Sequence, residues 1–421
     1  MNKRVINSAS ILLIGNELLN GDTRDKNAWY LSLKLSELGI KLVQTSVVAD
    51  DSGQIINELN KLSALSALIF TCGGIGPTSD DLTREAISEF AGVTLEERPE
   101  AVEKLKNYAA KHNRPLNKNS FKQALFPQGS EIIPNRAGTA DCFLTDYQGA
   151  QIITLPGVPS EIEVIFEDQI LERIPGFFPN LKKQYQRSLR LFGLSESYVG
   201  TEIDKLGLDE SISIAYRPSF PELLLVLSSG QAPELENAIE QIKQTIGKEY
   251  FHTENKKQSL AMTVFELLKS NSQTIAAAES CSGGMIANSF VSIPGASSVF
   301  LGSAVTYSNE SKQNILGIDA QTINKHGAVS EILAREMAAG AQRVFKSSYA
   351  LSITGIAGPD GGTENKPVGT IVIGLASPTA VTAHTYKLSW ERERNRVYSV
   401  VLAQELLRRK ILNLRMEWER K

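Results

Sequence analysis

Two short stretches in the last third of the sequence carry a serine and a lysine that can act together on an amide. The first stretch is AESCSGG at 278–284, and the second is VTYSNESK at 305–312. Neither contains a histidine, so a serine–histidine–aspartate triad does not fit them. Ser280 is the candidate nucleophile, and Lys312 can be its base if desolvation or a nearby cation lowers the lysine pKa. Tyr307 lies about one helical turn before Lys312 and can relay the proton or orient the base.

The same residues also have structural interpretations, which the sequence leaves open. A serine before Gly-Gly often caps a helix, and most lysines are solvated. Cys281 is a rival nucleophile because a thiolate needs less activation than a hydroxyl. No nearby histidine lowers its pKa, which favours a packed, inert thiol. The amides of Gly283 and Gly284, at the start of a predicted helix, are expected to stabilise an oxyanion.

A second group of reactive side chains lies in four loops of the first half of the sequence. They are GNELLNGD at 15–22, the acidic pair at 50–51, TCGGIGPTSDDLT at 71–83 and LPGVPSE at 155–161. Glycines let backbone amides approach a phosphate. Carboxylates in the same cleft would repel that phosphate, so they indicate a divalent cation between them. The alternative is that the glycines serve turns and that an aspartate only caps a helix.

These loops follow predicted strands. Short apolar runs at 10–14, 43–47, 68–72 and 151–155 alternate with amphipathic helix patterns. The alternation predicts crossover connections and a mostly parallel sheet, in which loops at the carboxyl ends of the strands converge on a ligand site. We therefore assign the chain to the α/β class, with several domains.

The rest of the chain reads as two further units. Residues 175–250 have a β-α-β-β-α order, which predicts a small α+β module. The polar stretch HTENKKQS at 252–259 is the best candidate for a linker. After it, strands alternate with helices again, and the serine and lysine stretches follow the first two of these strands.

The composition argues against several classes of protein. The 421 residues are 42% hydrophobic and carry a net charge of −3, as is typical of globular domains. This balance does not favour nucleic-acid binding, and residues 175–250 lack the GXXG loop with which KH domains grip RNA. No apolar run of about 18 residues predicts a membrane span, and the first apolar run reads as a strand, not a secretory signal. The scattered cysteines and histidines form no disulfide or zinc pattern, which favours the cytoplasm.

The loops of the first half resemble the molybdopterin-binding fold of the MoaB/MogA type and, more closely, the N-terminal domain of the CinA family. The stretches GNELLNGDTRDKN, TCGGIGPTSDDLT, NKNSFKQALFP and LPGVPSE have counterparts there. The resemblance implies an ADP-ribose pyrophosphatase that needs a divalent metal ion such as Mg²⁺, Co²⁺ or Mn²⁺. Asp141-Cys142 stands where family members usually have Pro-Gly, which changes the loop and adds a negative charge. Motif position implies Glu17, Asp50, Asp80 and Asp81 as metal ligands and Gly74, Gly76, Thr83, Asn119, Lys122 and Gly157 as substrate-binding residues, with Gln123 as a further match.

The last third closely resembles the PncC-type nicotinamide mononucleotide deamidase that forms the C-terminal domain of CinA proteins. Such enzymes hydrolyse the nicotinamide carboxamide to a carboxylate and release ammonia, without a cofactor. The resemblance implies Ser280 as the nucleophile, Lys312 as the base and Tyr307 as an assisting residue. The implied substrate-binding residues are Ser282, Gly283, Gly284, Thr354, Gly355, Gly358, Thr363 and Arg396.

The resemblance spans essentially the whole chain. It predicts a MoaB/MogA-like domain at 1–172, a KH-like α+β module at 173–252, a linker at 253–259 and a deamidase domain at 260–415. It implies a cytoplasmic, bifunctional enzyme of pyridine-nucleotide salvage. We expect a homodimer that binds nicotinamide mononucleotide and ADP-ribose, and neither nucleic acid nor membrane. The alternative is a non-catalytic molybdopterin-binding or competence-associated scaffold.

Overall fold

The computed structural model describes residues 5–113, 115–181 and 184–415. The chain divides after Gln184 into two compact units. Residues 1–4, with which the predicted first domain begins, lie outside the described residues. In the described part of the chain, no helix combines the length and the apolar character needed to cross a lipid bilayer.

The first unit is an α/β structure around a six-stranded sheet. Its strands are β1 (Val5–Ile14), β2 (Lys41–Val48), β3 (Ser66–Cys72), β4 (Leu95–Glu97), β5 (Leu125–Pro127), β6 (Glu131–Ile133), β7 (Cys142–Tyr147) and β8 (Ala150–Leu155). Its helices are α1 (Asn16–Leu19), α2 (Asn27–Glu37), α3 (Ser52–Leu65), α4 (Thr83–Ala91), α5 (Pro99–His112), α6 (Pro159–Ile165) and α7 (Ile174–Phe177). The short strands β4 and β5 pair with each other outside the main sheet.

The main sheet has the strand order β2-β1-β3-β8-β7-β6. The first four strands are parallel, as the sequence predicts, whereas β7 and β6 add an antiparallel edge. The reversal occurs at a two-residue turn, in which Gln148 and Gly149 have φ values of +49° and +78°. Such a turn matches the twist of the flanking strands and joins neighbours without a helix.

Both faces of β1 are buried, so the sheet of the first unit has helices packed on each side. Ile11 and Leu13 pack in the apolar cluster that includes α2, whereas Leu12 and Ile14 pack in the cluster that includes α3 and α4. A parallel strand covered on both sides reads as a continuous apolar run, which is why this strand was easy to predict. The carboxyl ends of β1, β3 and β8 then lie at one edge of the sheet, where the glycine-containing loops follow them.

The second unit begins with a four-stranded antiparallel sheet in the order β10-β11-β9-β12. Its elements are β9 (Tyr185–Leu191), α8 (Glu196–Asp204), β10 (Ser213–Ser219), β11 (Glu222–Ser229), α9 (Ala232–Ile246) and β12 (Phe251–Thr253). The predicted β-α-β-β-α order is present, and β12 is added at the edge. Ile239 and Ile242 of α9 pack against apolar side chains of β9 and β11.

The remainder of the second unit is an α/β structure around a five-stranded sheet in the order β14-β13-β15-β16-β17. The first three strands in this order are parallel, and the last two are antiparallel. Its elements are α10 (Leu260–Ser270), β13 (Ile275–Glu279), α11 (Met285–Val291), β14 (Phe300–Val305), α12 (Asn309–Leu316), α13 (Ala320–His326), α14 (Glu331–Phe345), β15 (Tyr349–Gly355), β16 (Thr370–Ala376), β17 (Val381–Lys387) and α15 (Arg392–Ile411).

The predicted linker at 253–259 is a short turn between β12 and α10, with its own backbone hydrogen bonds. The imidazole of His252, beside it, links the four-stranded sheet of the second unit to helix α10. Its Nε2 lies 2.5 Å from a carboxylate oxygen of Glu222 in β11, and its Nδ1 lies 3.2 Å from the hydroxyl of Thr263 in α10. The small module and the region that follows it are therefore in direct contact.

Candidate functional site

Ser280 lies on a tight turn between β13 and α11. Its amide donates to the carbonyl of Ile353 (2.9 Å), which extends the ladder between β13 and β15 by one residue. Gly283 and Gly284 follow with φ values of +63° and +95°. Side chains disfavour this left-handed conformation, so the two glycines let the chain turn sharply into α11. Ser280 itself is only 9% exposed.

Lys312 reaches this turn from α12, whose first residue follows the capping hydroxyl of Ser308. The lysine Nζ lies 3.3 Å from Ser280 Oγ and donates to the carbonyls of Thr306 (2.7 Å) and Tyr307 (3.2 Å). Lys312 is 1% exposed, and burial lowers the pKa of its ammonium below the ordinary value. Among the described residues no carboxylate forms an ion pair with Lys312, and desolvation is the largest cause of the lowered pKa. The structure thus places a lysine amine of lowered pKa next to the hydroxyl of Ser280, and the role of Lys312 as a base stays a prediction.

Tyr307 contacts Lys312 through its main chain. Its carbonyl accepts the hydrogen bond from Lys312, whereas the residue as a whole is 64% exposed. The structure thus brings the backbone of Tyr307 to the base, and a proton relay through its phenol stays a prediction.

Cys281 is packed in the apolar core and is 7% exposed. Burial raises the pKa of its thiol to about 11, so the thiol is protonated at neutral pH. A protonated thiol is a poor nucleophile. The structure therefore favours the hydroxyl of Ser280 over the neighbouring thiol.

Replacing Cys281 with alanine is expected to leave most of the ammonia release intact. The change removes one buried sulfur from a core position, at a cost in stability of about 1 kcal/mol, and keeps the Ser280 hydroxyl and the Lys312 amine in the protein. Steady-state rates and thermal unfolding of the purified variant test this. A variant that folds but has lost its activity would assign the attack to the thiol.

Glu279 was not singled out from the sequence, yet it organises the turn. Its carboxylate is fully buried and accepts hydrogen bonds from the amides of Gly284 (2.9 Å), Ile286 (3.1 Å) and Ala287 (3.0 Å). It also accepts from the hydroxyl of Ser303 in β14 (2.9 Å). The Gly284 amide, expected to bind an oxyanion, is thus already paired, and so are the next amides of α11. The sequence contained a signal for this role, because Glu279 comes shortly before a predicted helix. Carboxylates at such positions accept hydrogen bonds from the unpaired amides of the first helical turn.

Arg396 of α15 fixes the far side of the turn. Its guanidinium donates to the carbonyls of Cys281 (3.0 Å) and Ser282 (3.1 Å), and it pairs with Glu393 (2.7 Å). Arg396 was predicted to contact a substrate, but its guanidinium is already hydrogen-bonded to the turn that carries Ser280. In the structure Arg396 is a positioning residue for that turn.

The predicted substrate-binding residues around β15 already have structural contacts. The hydroxyl of Thr354 donates to the carbonyl of Ala328 (2.7 Å). A side chain at Gly355 would lie 2.7 Å from the carbonyl oxygen of Thr370, so a glycine is needed there. Gly358 accepts a hydrogen bond from Arg392, and Thr363 closes a turn with Lys366. Substrate binding by Thr354, Gly355, Gly358 and Thr363 stays a prediction.

Ser282 differs from these residues. It is fully buried, and in the described part of the chain its hydroxyl has no hydrogen-bond partner. Buried hydroxyls are nearly always paired. Substrate binding by Ser282 stays a prediction, with which an unpaired hydroxyl two residues after Ser280 is compatible.

A separate cavity of about 370 Å³ opens at the carboxyl edge of the sheet in the first unit. It is lined by backbone of the glycine-containing loops and by carboxylates. Of the predicted residues, it collects Glu17, Asp50, Gly74, Gly76, Asp80, Asp81, Gln123 and Gly157. The structure thus brings these eight residues together from loops more than 100 residues apart, and their roles in metal and substrate binding stay predictions.

The other predicted residues of the first unit support the cavity or lie beside it. The Thr83 hydroxyl donates to the carbonyl of Gly73 (2.8 Å), and a side chain at Gly74 would collide with it. Lys122 donates to backbone carbonyls of Thr78 and Asp81. Asn119 belongs to the same 3₁₀-helix as Lys122, over Lys118–Ala124.

The carboxylates of this cavity are held by the loops that carry them. Asp81 accepts hydrogen bonds from the amide (2.8 Å) and hydroxyl (2.5 Å) of Thr78. Asp50 accepts from the amide of Asn16 (2.9 Å), and hydrogen bonding from Thr78 lowers the pKa of Asp80. Glu161, which the sequence analysis did not select, is a fifth carboxylate in the lining.

As the structure describes them, the carboxylates of this cavity do not form a closed metal site by themselves. Within the described residues no three acidic, histidine or cysteine side chains converge to enclose an ion. Mg²⁺ commonly binds through one or two carboxylates together with substrate phosphates. The donor set is therefore compatible with a hard cation that binds with a pyrophosphate, and not with a preformed protein cage.

Asp141, which together with Cys142 stands where the resemblance implied Pro-Gly, does not add a free charge to the cavity. It is 6% exposed and accepts hydrogen bonds from Lys104 Nζ (2.5 Å) and from the amide of Asn135 (2.7 Å). The side chain of Asn135 in turn holds Glu161 (2.7 Å). Asp141 and Lys104 thus form a partly buried ion pair beside the cavity wall.

Comparison with known proteins finds one matching family model in each half of the chain. Residues 257–411 match the model of the "CinA C-terminal domain", and residues 10–176 match that of the "Probable molybdopterin binding domain". A "CinA-like protein" of Fervidobacterium nodosum is 38% identical over 409 residues, which cover 96% of this chain and 98% of the relative. Another, from Desulfosudis oleivorans, is 37% identical over 96% of this chain and all of the relative.

Among solved structures, the chain is similar to the competence/damage inducible protein CihA from Agrobacterium tumefaciens. The identity is 35%, with a TM-score of 0.35, and the match covers 35% of this chain and 91% of the other.

Proposed function

The chain belongs to the CinA family, and from this premise we propose that its second unit hydrolyses the carboxamide of nicotinamide mononucleotide to a carboxylate and ammonia. The observation that carries the proposal is the 3.3 Å contact between Ser280 Oγ and the buried amine of Lys312. A serine next to a desolvated lysine is a nucleophile with its own base. The reaction needs no metal at this site.

The first step transfers the proton of Ser280 to neutral Lys312 while Oγ attacks the carboxamide carbon. The ammonium so formed is held by the carbonyls of Thr306 and Tyr307. Lys312 then protonates the departing nitrogen, the C–N bond breaks, and ammonia leaves behind an ester on Ser280. In the second step the neutral amine deprotonates a water molecule, which hydrolyses the ester.

Ammonia release from nicotinamide mononucleotide by the purified protein tests this proposal. We expect turnover without added metal, with nicotinate mononucleotide formed in equal amount. A scaffold protein would release no ammonia. Loss of activity on chelation, restored by a metal ion, would assign the hydrolysis to a metal-bound water instead.

We propose a second activity for the first unit, the metal-dependent cleavage of ADP-ribose to AMP and ribose 5-phosphate. The supporting observation is a cavity that combines glycine-loop backbone with five carboxylates. Asp81, Asp80, Asp50 and Glu17 are the residues that would hold the metal ion. When bound, a divalent cation would neutralise the pyrophosphate charge and polarise its oxygens. The chain's own part is to fix Asp81 through Thr78 and to offer amides to the phosphates.

Replacing Asp81 with asparagine is expected to lower ADP-ribose cleavage at least about tenfold, which is a typical loss for changes at a metal site. Asparagine keeps the size and can still accept from Thr78, but it removes the charge that attracts a cation. AMP formation at saturating Mg²⁺ measures the effect, and unchanged ammonia release by the same variant serves as the control. Equal AMP formation by variant and parent would remove Asp81 from the metal site.

A further inference from the structure

Three hydroxyl-bearing residues lie side by side at the carboxyl ends of β14, β13 and β15. Glu279 pairs in register with Val305 on one side and Ile353 on the other. The next residues along these strands are Thr306, Ser280 and Thr354. The ladder continues across them, because Thr306 N donates to Glu279 O (2.8 Å) and Ser280 N donates to Ile353 O (2.9 Å).

Residues in register on neighbouring strands share a face of the sheet and lie about 5 Å apart. Alternate residues of a strand point to the same face of a sheet, so Thr306 is on the face of Ala304 and Ser280 is on the face of Ala278. Both alanines pack in one apolar cluster. Thr306 therefore lies beside Ser280, on the face that α12 and α14 cover.

The three hydroxyls differ in what they bind. Ser280 Oγ is held by Lys312, and Thr354 Oγ1 donates to the carbonyl of Ala328. Thr306 is fully buried, and its Oγ1 has no partner within the described residues. A buried hydroxyl without a partner is costly, and this one lies next to the base.

The main chain of Thr306 strengthens the case for a role at the site. Its carbonyl is the nearest acceptor of Lys312 Nζ, at 2.7 Å. A group that binds the hydroxyl of this residue is therefore brought close to the amine that must protonate the leaving nitrogen.

We propose that the Thr306 hydroxyl accepts a hydrogen bond from the carboxamide nitrogen of the substrate and holds it beside Lys312. The proposal rests on the amidase function proposed above. In the ground state the hydroxyl accepts from an N–H of the carboxamide. After attack, the nitrogen becomes pyramidal and takes the proton of the Lys312 ammonium. The C–N bond then breaks and ammonia leaves, while the Thr306 hydroxyl keeps its own proton throughout.

The variant Thr306→Val tests this, because valine keeps the branched shape and removes only the hydroxyl. We expect kcat for ammonia release to fall by about tenfold, the effect of losing one hydrogen bond between neutral groups. The melting temperature should stay the same or rise, because no partner in the protein loses a bond. Thr306→Ser, which restores the hydroxyl, should recover most of kcat. If the Thr306 hydroxyl had only a structural role, Thr306→Val would lower the melting temperature. The Thr306→Ser and Thr306→Val variants would then have similar kcat values.

Substrate binding gives a second readout that does not depend on turnover. In a Ser280→Ala background, adding Thr306→Val should weaken the binding of nicotinamide mononucleotide several-fold by calorimetry. If Thr306→Val had the kcat of the parent, or if Thr306→Ser and Thr306→Val lost the same share of kcat, the role of Thr306 would be wrong. The proposed amidase function would not be affected by either result. A parent protein that neither binds nor hydrolyses the nucleotide would overturn the amidase function, and this inference with it.

Discussion

Replacing Ser280 with alanine is expected to lower ammonia release from nicotinamide mononucleotide by about 10³-fold or more, because the attacking atom is removed. The substitution should not disturb the fold. Glu279 anchors the turn through amides and a hydroxyl of other residues, and the amide of Ser280 keeps its bond to Ile353. Steady-state rates, together with thermal unfolding of the same preparation, measure the effect.

The matched control for this variant is Cys281→Ala, which removes a side chain of similar size one residue away. The two variants separate the hydroxyl from the thiol as nucleophile. If Ser280→Ala hydrolysed the nucleotide at the parental rate while Cys281→Ala were inactive, the serine assignment would be wrong.

Lys312→Met is expected to cause a loss as large as that of Ser280→Ala, about 10³-fold. Methionine keeps the length and apolar stem of the lysine and removes the amine that takes the serine proton. A lysine that only filled space would be replaced with little effect on rate. Retention of substantial activity by a folded Lys312→Met protein would therefore exclude lysine as the base.

The pH dependence follows from the lowered pKa of Lys312. Burial makes the amine neutral at a lower pH than an exposed lysine, whose reference pKa is about 10.4. We expect kcat/KM to rise with pH through that lowered pKa. Stability changes in the same direction: between the two pKa values the unfolded chain binds more protons than the folded one, so the free energy of unfolding rises with pH. Lys312→Met should lack this contribution.

The resemblance of the two motifs to the deamidase family implied that Ser280 and Lys312 act together, and the structure places their side chains 3.3 Å apart. β13 and β14 proved to be parallel neighbours, and parallel strands deliver the residues after them to one edge of a sheet. The same argument gathered Glu17, Asp50 and Asp81 around one cavity. Apolar periodicity indicates where the strands lie along the chain, whereas their order within each sheet is known only from the structure.

What the sequence could not supply were side-chain pairings set by tertiary packing. The binding of Asp141 to Lys104, 37 residues away, depends on where α5 lies against β7. Likewise, the sequence offered Gly284 as an oxyanion donor, because it does not reveal that Glu279 folds back to the same amide. Strands β12 and β17 were also missed, since β12 has only three residues and β17 is largely polar.

The central claim is that Ser280 carries the acyl group during hydrolysis, and rapid acid quenching within the first turnover tests it most directly. The measurement compares ammonia with nicotinate mononucleotide over time and locates any acyl group by peptide mass spectrometry. The account predicts that ammonia appears before the acid product, and that the difference is found as an ester on the peptide containing Ser280. Simultaneous release of both products with no acyl group on the protein, or an acyl group on Cys281, would contradict it.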